Sequence, residues 1–191
     1  MAKELKPETG FVLPYGDSPY DHENVGEEVY VHILNHAKKY VHIMTPYLIL
    51  DNGMLDTLTR AAKSGIEVCI IMPHIPDKWY AFAVAKTYYR ELIEAGVNIY
   101  EFTPGFVHAK VFVSDDDTAT VGTVNLDYRS LYLHFECGIF VYDNPVVHKI
   151  EKEFFRKHCK KSCKVTASDI GNTGIFMRIC GRVLRLIAPL M

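Results

Sequence analysis

A short polar pattern near the middle of the chain combines residue types that are suited to phosphate chemistry. His108 and Lys110 are separated by one residue, and Asp115 completes the spacing His-x-Lys-x4-Asp. Alternate side chains of a β-strand share a face, so we expect the imidazole and the ammonium to project together and Asp115 to play a supporting role. An ammonium attracts phosphate oxygens, and histidine can attack phosphorus or protonate a leaving alkoxide near neutral pH.

A β-hairpin is expected to bring a hydroxyl and an amide to the same face. The acidic residues 115–117 predict a tight turn, preceded by a strand over 107–113. A turn centred in this cluster places His108 opposite Thr123, and Asn125 shares the parity of Thr123. The hydroxyl and the amide could donate hydrogen bonds to the oxygens of a phosphodiester, and the positive side chains could stabilise its charge. We therefore expect no metal or other cofactor.

The rest of the sequence alternates helical and strand patterns that could position these groups. Apolar residues recur at helical spacing over 25–37, and Trp79–Glu94 and 145–160 predict two further amphipathic helices. The run 66–72 is nearly continuous in β-branched residues, which is typical of a strand covered on both faces. Alternating helices and strands followed by a run of strands predict an α/β fold, with a mixed β-sheet flanked by helices on both faces.

The 191 residues are expected to form a single domain with two distinctive ends. Repeated prolines and glycines predict an irregular lead-in over residues 1–20. Residues 175–191 predict a terminal amphipathic helix, in which Arg178, Arg182 and Arg185 lie on one face opposite apolar side chains. This helix could lie in a membrane interface or pack against the domain.

Composition argues against several classes of protein. The 21 basic and 23 acidic side chains give a formal net charge of −2, which disfavours nonspecific nucleic-acid binding. The five cysteines include no Cys-x-x-Cys pair, so a disulfide framework is not expected. No apolar run reaches the ~18 residues that span a bilayer, and the N-terminus does not resemble a signal peptide. The composition predicts a soluble, intracellular, globular chain.

The hairpin region resembles the second HKD motif of the phospholipase D superfamily, and most closely that of bacterial cardiolipin synthases. The resemblance is carried by GFVHAKVFVSDDDTATVGTVNLDYRSLYLHFE and extends through TPYLILD, KSGIEVCIIMP, YYRELIEAGVNIYEFTPGF and the terminal RLIAPLM. It covers nearly the whole chain but only the C-terminal half of a complete family member. His134 departs from the pattern, because relatives usually have asparagine there.

The resemblance implies a phospholipase D-like α-β-α sandwich in which residues 1–191 form one catalytic domain, the second HKD half. The implied reaction joins two phosphatidylglycerol molecules into cardiolipin and releases glycerol through a phosphohistidine. His108 would be the acid/base partner, since the first histidine of two-motif relatives is usually the nucleophile, although either role stays open. Glu136 would hydrogen-bond the imidazole and fix its tautomer. The implied phosphate-binding residues are Lys110, Thr123, Asn125 and Ser130.

One motif is insufficient for this chemistry, so a partner is implied. His36 and Lys38 repeat part of the motif, but Ile43 stands where the aspartate is needed. We expect the partner to be the N-terminal HKD half of a longer cell-membrane enzyme, with this domain on the cytoplasmic side and almost inactive when isolated. The alternatives are a homodimeric single-motif phosphodiesterase or endonuclease and a non-catalytic lipid-binding module. In the preferred interpretation no nucleic acid is bound, and a phospholipid other than phosphatidylglycerol could be a substrate.

Overall fold

Residues 9–171 and 174–190 are described by the computed structural model, which contains an eight-stranded sheet and a two-stranded pair. The strands are β1 (Phe11–Asp17), β2 (Tyr40–Met44), β3 (Leu48–Ile49), β4 (Glu67–Pro73), β5 (Asn98–Phe102), β6 (Val111–Ser114), β7 (Thr118–Gly122), β8 (Leu126–Asp127), β9 (Glu136–Tyr142) and β10 (Ser162–Lys164). The α-helices are α1 (Val25–His36), α2 (Asn52–Lys63), α3 (Trp79–Glu94), α4 (Tyr128–Tyr132), α5 (Pro145–Lys149), α6 (Arg156–Cys159), α7 (Ala167–Gly171) and α8 (Ile175–Leu186). A π-helical segment, Ile150–Phe155, links α5 to α6, and a 3-10 turn, Ala188–Leu190, follows α8.

The large sheet is mixed and has the strand order β1-β9-β7-β6-β2-β4-β5-β10. Strands β2, β4 and β5 run parallel to one another, and the remaining neighbours pair antiparallel. The short strands β3 and β8 form a separate parallel pair. Among the described residues no helix has both the length and the apolar character needed to cross a membrane.

Hydrophobic clusters cover both faces of the sheet. On one face α1, α2 and α3 pack against it, and Tyr30 stacks on Phe112 with ring centroids 3.9 Å apart. On the other face Phe155 of the π-helical segment packs with Met44 and Ile71. Each such side chain contributes about 1.5–3 kcal/mol when it is fully buried. The predicted α/β architecture, with helices on both faces of a mixed sheet, is confirmed.

The prediction of an irregular lead-in over residues 1–20 is wrong for Phe11–Asp17, which forms β1 along one edge of the sheet. Pro14 lies opposite Ile139, and an edge strand tolerates proline because its missing N–H can face away from the ladder. Residues 1–8 lie outside the described part of the chain. At the other end, the helix predicted over 175–191 stops at Leu186 and continues only as the 3-10 turn, and Met191 is not among the described residues.

The central hairpin forms with a shorter first strand and a longer turn than predicted. Strand β6 starts at Val111, so the predicted strand over 107–113 is wrong at its beginning. Ser114 pairs with Thr118 across a three-residue loop, in which Asp115 and Asp116 have φ values of 54° and 65°. Aspartate tolerates this left-handed conformation better than most residues. The extra loop residue shifts the register by one position, so His108 does not pair with Thr123.

Candidate active site

His108 and Lys110 are in contact, although both precede strand β6. The Lys110 Nζ lies 3.0 Å from Nε2 and 3.2 Å from Nδ1 of the imidazole, and it donates a hydrogen bond of 2.9 Å to the backbone carbonyl of His108. Burial lowers the pKa of the Lys110 ammonium, while the carboxylates of Glu136 and Asp127 act in the opposite direction. A cation is therefore held beside the imidazole at reduced hydration, which strengthens its attraction for an anion.

These two side chains share one open cavity of about 500 Å³ with the polar groups that follow β7. Its floor includes Gly122, where β7 approaches β9 so closely that an added Cβ would lie 2.4 Å from the Cys137 carbonyl oxygen. Only a residue without a side chain fits between the two backbones at this position. The cavity is lined by His108, Ala109, Lys110, Val111, Val121, Gly122, Thr123, Asn125 and Phe154.

Asn125 has one half of its amide fixed and the other half unused. Its Nδ2 donates a 2.9 Å hydrogen bond to Ser130 Oγ, whereas its Oδ1 is buried and has no hydrogen-bond partner within residues 9–171 and 174–190. The β3–β8 pair and a 3.3 Å bond from Leu126 N–H to Thr45 Oγ1 hold the following backbone in place. A hydroxyl accepts or donates, so rotation of the amide would keep the Ser130 bond and would put an N–H₂ donor in place of the unpartnered oxygen. Ser130 is itself only 1% exposed, and its hydroxyl contacts the Asn125 amide.

Glu136 accepts a hydrogen bond from Thr123 and forms none with His108. The Thr123 hydroxyl donates to the Glu136 carboxylate and accepts a 3.0 Å bond from Cys137 N–H. Since β7 pairs with β9, Thr123 is brought beside the start of β9 and becomes the nearest polar neighbour of Glu136. The expected hydrogen bond from Glu136 to the imidazole is not formed among the described residues. The Thr123 hydroxyl proton is also engaged, so Thr123 presents less donor capacity to a phosphate than expected.

Asp115 stabilises the fold around the hairpin and lies at the opposite end of β6 from the cavity. Its carboxylate accepts hydrogen bonds of 2.6, 2.9 and 3.0 Å from the backbone N–H groups of Lys38, Lys39 and Tyr40. These bonds tie the hairpin turn to the start of β2. The supporting role expected for Asp115 is therefore architectural in this structure.

Two further polar residues have partners that their sequence positions do not predict. Asp127 and Arg129 look like a local ion pair, but Asp127 caps α4 by accepting a 2.8 Å bond from Ser130 N–H. Arg129 instead lies 3.2 Å from His134 Nε2, and His134 Nδ1 lies 3.8 Å from Glu136. Burial raises the pKa of the Asp127 carboxyl. Phe154 reaches the cavity from the π-helical segment, and no local motif could have placed it there.

One cluster of side chains has donor atoms close enough to hold a metal ion, but it does not line the His108 cavity. Ligand atoms of His42, Glu67 and Cys69 lie within 4.8 Å of one another. In the part of the chain that the structure describes, the buried Nε2 of His42 has no hydrogen-bond partner, and the Nδ1 of the same ring lies 2.9 Å from Glu151. Burial is the main reason that the pKa of the Cys69 thiol is raised to about 12.

Comparisons with known proteins match the chain to one family along most of its length. Residues 30–158 match the family model described as "Cardiolipin synthase, PLD-like domain". An uncharacterized protein of Streptococcus mutans is 55% identical over 95% of this chain, and a cardiolipin synthase of Clostridium perfringens is 41% identical over 85%. The matched regions make up 39% and 34% of those two proteins, so the chain spans well under half of each relative.

Solved structures with low sequence identity share the fold. A phosphatidylserine synthase from Haemophilus influenzae matches 97% of this chain and 49% of its own chain, with a TM-score of 0.75 at 17% identity. Nuc from Salmonella typhimurium, a phospholipase D family member, matches 83% of this chain and 100% of its own, with a TM-score of 0.70 at 16% identity. The family model matches more than half of the chain, and the residues that line the cavity lie within or beside the matched region. The chain therefore belongs to the PLD-like domain family of the cardiolipin synthases.

Proposed function

We propose that this chain is one catalytic half of a phosphatidyltransferase that makes cardiolipin from two phosphatidylglycerol molecules and releases glycerol. The observation that carries the proposal is the shared cavity, in which His108 and Lys110 lie beside the amide of Asn125. Cardiolipin synthases among the relatives favour a phospholipid phosphodiester as the substrate. In this proposal the chain is a single catalytic domain of a full-length enzyme at the cell membrane, and it acts on the cytoplasmic side.

The proposed reaction has two half-reactions at one phosphorus atom. In the first, a histidine nitrogen attacks the donor phosphorus, and the bond to the glycerol headgroup breaks as a second imidazole gives that oxygen a proton. In the second, the same imidazole takes a proton from the terminal hydroxyl of another phosphatidylglycerol. That oxygen attacks the phosphohistidine, which forms cardiolipin and frees the histidine.

In this scheme His108 is the acid/base group, and Lys110 and Asn125 hold the non-bridging oxygens. The ammonium of Lys110 offsets the negative charge that gathers on those oxygens in the transition state. Asn125 can add a hydrogen bond because half of its amide is unused. Glu136 acts on the site through Thr123, and Asp115 supports the hairpin from its far end.

The proposal needs a second histidine from outside this motif, and the N-terminal HKD half of the same enzyme is the proposed source. The test is formation of labelled cardiolipin and glycerol from labelled phosphatidylglycerol, by the chain alone and after co-expression with that half. We expect product only from the combined halves, and none after His108→Ala. His148→Ala is the matched control, because His148 is exposed and lies by the hairpin turn. Substantial product from the monomeric chain, or from the His108→Ala enzyme, would contradict the proposal.

A second candidate is a homodimeric single-motif phosphodiesterase or endonuclease. One observation favours it, namely that Nuc is matched over its entire chain by a domain of this size. A dimer in sedimentation analysis, together with plasmid nicking that His108→Ala abolishes, would establish this candidate in place of the transferase. Binding to phosphatidylglycerol vesicles without turnover, even with the other half present, would instead indicate a non-catalytic lipid-binding module.

A further inference from the structure

Helix α8 is fixed to the domain by a narrow, small-residue face. It packs along α3, and Gly181 is the buried point of closest approach, where an added Cβ would lie 2.4 Å from the Ala83 carbonyl oxygen. Ala188, just beyond the helix, is also buried. The sequence left open whether the apolar side of this helix packs against the domain. The structure shows that the contact is made largely by small and half-buried residues instead.

The large apolar side chains of α8 and the following turn are exposed to solvent. At 100° per residue, Phe176, Ile179, Val183 and Leu186 fall within an arc of about 80°, and so form one continuous stripe. A stripe of this kind on a protein surface usually marks an interaction site. The exposed side chains are Ile175 (76%), Phe176 (73%), Ile179 (58%), Val183 (59%), Leu186 (82%), Ile187 (49%) and Leu190 (82%).

A cationic cavity of about 450 Å³ lies between α8 and α3 on the flank of this stripe. Lys86 is paired with Glu101 at 2.7 Å, and Arg185 stacks on Tyr88. Arg178 and Arg182 form no ion pair with any residue in the described part of the chain, and α8 contains no acidic residue. The five cationic residues that line the cavity are Lys86, Arg90, Arg178, Arg182 and Arg185.

We propose that α8 binds the surface of a membrane that contains anionic phospholipids, with the apolar stripe among the acyl chains and Arg178 and Arg182 at the headgroup phosphates. The two arginines lie on the helix surface between the face packed on α3 and the apolar stripe. When a helix lies in the membrane interface with its apolar stripe toward the acyl chains, side chains at this position are level with the lipid headgroups. None of these residues lines the His108 cavity, so the inference does not rest on the proposed reaction.

Charge distinguishes this partner from a second copy of the chain. Symmetric pairing through the stripe would bring the arginine rows of two copies to the edges of one interface, with no acidic residue on either helix to offset them. An anionic lipid surface supplies the opposite charge along the whole row. Each arginine near such a surface strengthens binding by roughly fivefold at physiological salt.

The test is cosedimentation of the 191-residue chain with vesicles of phosphatidylcholine alone or with added phosphatidylglycerol. We expect binding only to the mixed vesicles, reduced at least tenfold by Ile179→Ser with Val183→Ser, because roughly tenfold is lost for each large apolar side chain kept out of the acyl layer. Leu13→Ser is the matched control, since Leu13 is 62% exposed on the edge strand β1. All the substituted side chains are exposed, and unchanged thermal unfolding checks that the variants fold.

A second pair of variants separates the effect of the α8 arginines from that of Lys149 and Lys152, two exposed lysines outside α8. Arg178→Gln with Arg182→Gln should weaken vesicle binding about 25-fold. Lys149→Gln with Lys152→Gln should leave it unchanged, although it removes the same charge. The proposal would be overturned by equal binding to both vesicle types or by undiminished binding of the Ile179→Ser, Val183→Ser variant. It would also be overturned if the wild type were a dimer that this variant dissociates. These outcomes are independent of transferase activity, so failure here would leave the proposed reaction standing.

Discussion

Replacing Gly122 by alanine is expected to destabilise the domain by about 2–3 kcal/mol, through overpacking and a weakened strand pairing. The added Cβ would lie 2.4 Å from the Cys137 carbonyl oxygen and 2.7 Å from the Gly138 Cα, and both are backbone atoms. Ordinary contacts begin about 1 Å farther out, so β7 and β9 must separate locally by a distance of that order. The Cys137 oxygen and the Gly138 Cα cannot rotate away as a side chain could, because both belong to the backbone of β9, which is paired with β7 at Gly122 and Gly138.

The assay is urea unfolding of the wild type and two variants. Gly105→Ala is the matched control, because an added Cβ at Gly105 meets nothing within 4 Å. The control should remain within about 0.5 kcal/mol of the wild type or gain slightly from reduced freedom of the unfolded chain. If Gly122→Ala unfolds at the same urea concentration as Gly105→Ala, the close approach of β7 and β9 does not constrain this position, and the steric reasoning is refuted.

Three further predictions concern the charged groups. Lys110→Met should lower transferase activity of the combined halves roughly 10²–10³-fold with unchanged thermal unfolding, and an unchanged rate would remove Lys110 from the site. Glu151→Gln should cost about 3 kcal/mol in urea unfolding, because the fully buried carboxylate binds both His42 and Arg156. Burial raises the pKa of Glu151, but the bonds to His42 and Arg156 outweigh burial and hold this pKa below its ordinary value. The stabilisation by the carboxylate is therefore present above pH ~4.3 and should fade as the pH falls further. A Glu151→Gln effect of equal size at pH 7 and pH 3 would contradict this explanation. Asp115→Ala should cost about 2 kcal/mol, since three backbone N–H groups lose their acceptor, whereas the same change at the exposed Asp117 should cost little; equal losses would deny Asp115 its anchoring role.

Local patterns predicted the elements whose signal lies in their own residues. Helix α3 has the predicted bounds, because apolar spacing over four turns leaves little choice of boundary. Strand β4 differs from its predicted range by one residue at each end, because a β-branched run buried on both faces has no competing structure. Strand β1 was missed, because its proline and glycine suggest a loop and only pairing with β9, far along the chain, makes it a strand.

Residue type and spacing selected the candidate site residues, but they did not predict the hydrogen-bond partners of those residues. Strand parity placed His108 and Lys110 together, and the structure brings them into contact even though that segment is not a strand. The predicted pairing of β6 with β7 is wrong by one residue because the turn has three residues, with Asp115 and Asp116 in the left-handed conformation. A hydrophobic pattern contains no information about the length of this turn. The partners of Glu136 depend on the β7–β9 pairing, which a local motif does not encode.

The central claim is that His108, Lys110 and Asn125 form one pocket for a tetrahedral anion. The most direct measurement is a crystal structure of the chain soaked with tungstate, an electron-dense mimic of phosphate. The account predicts a bound anion within hydrogen-bond distance of Lys110 Nζ and the Asn125 amide, beside the His108 ring. Tungstate bound only among the arginines of α8, with the cavity beneath His108 left empty at saturating concentration, would contradict it.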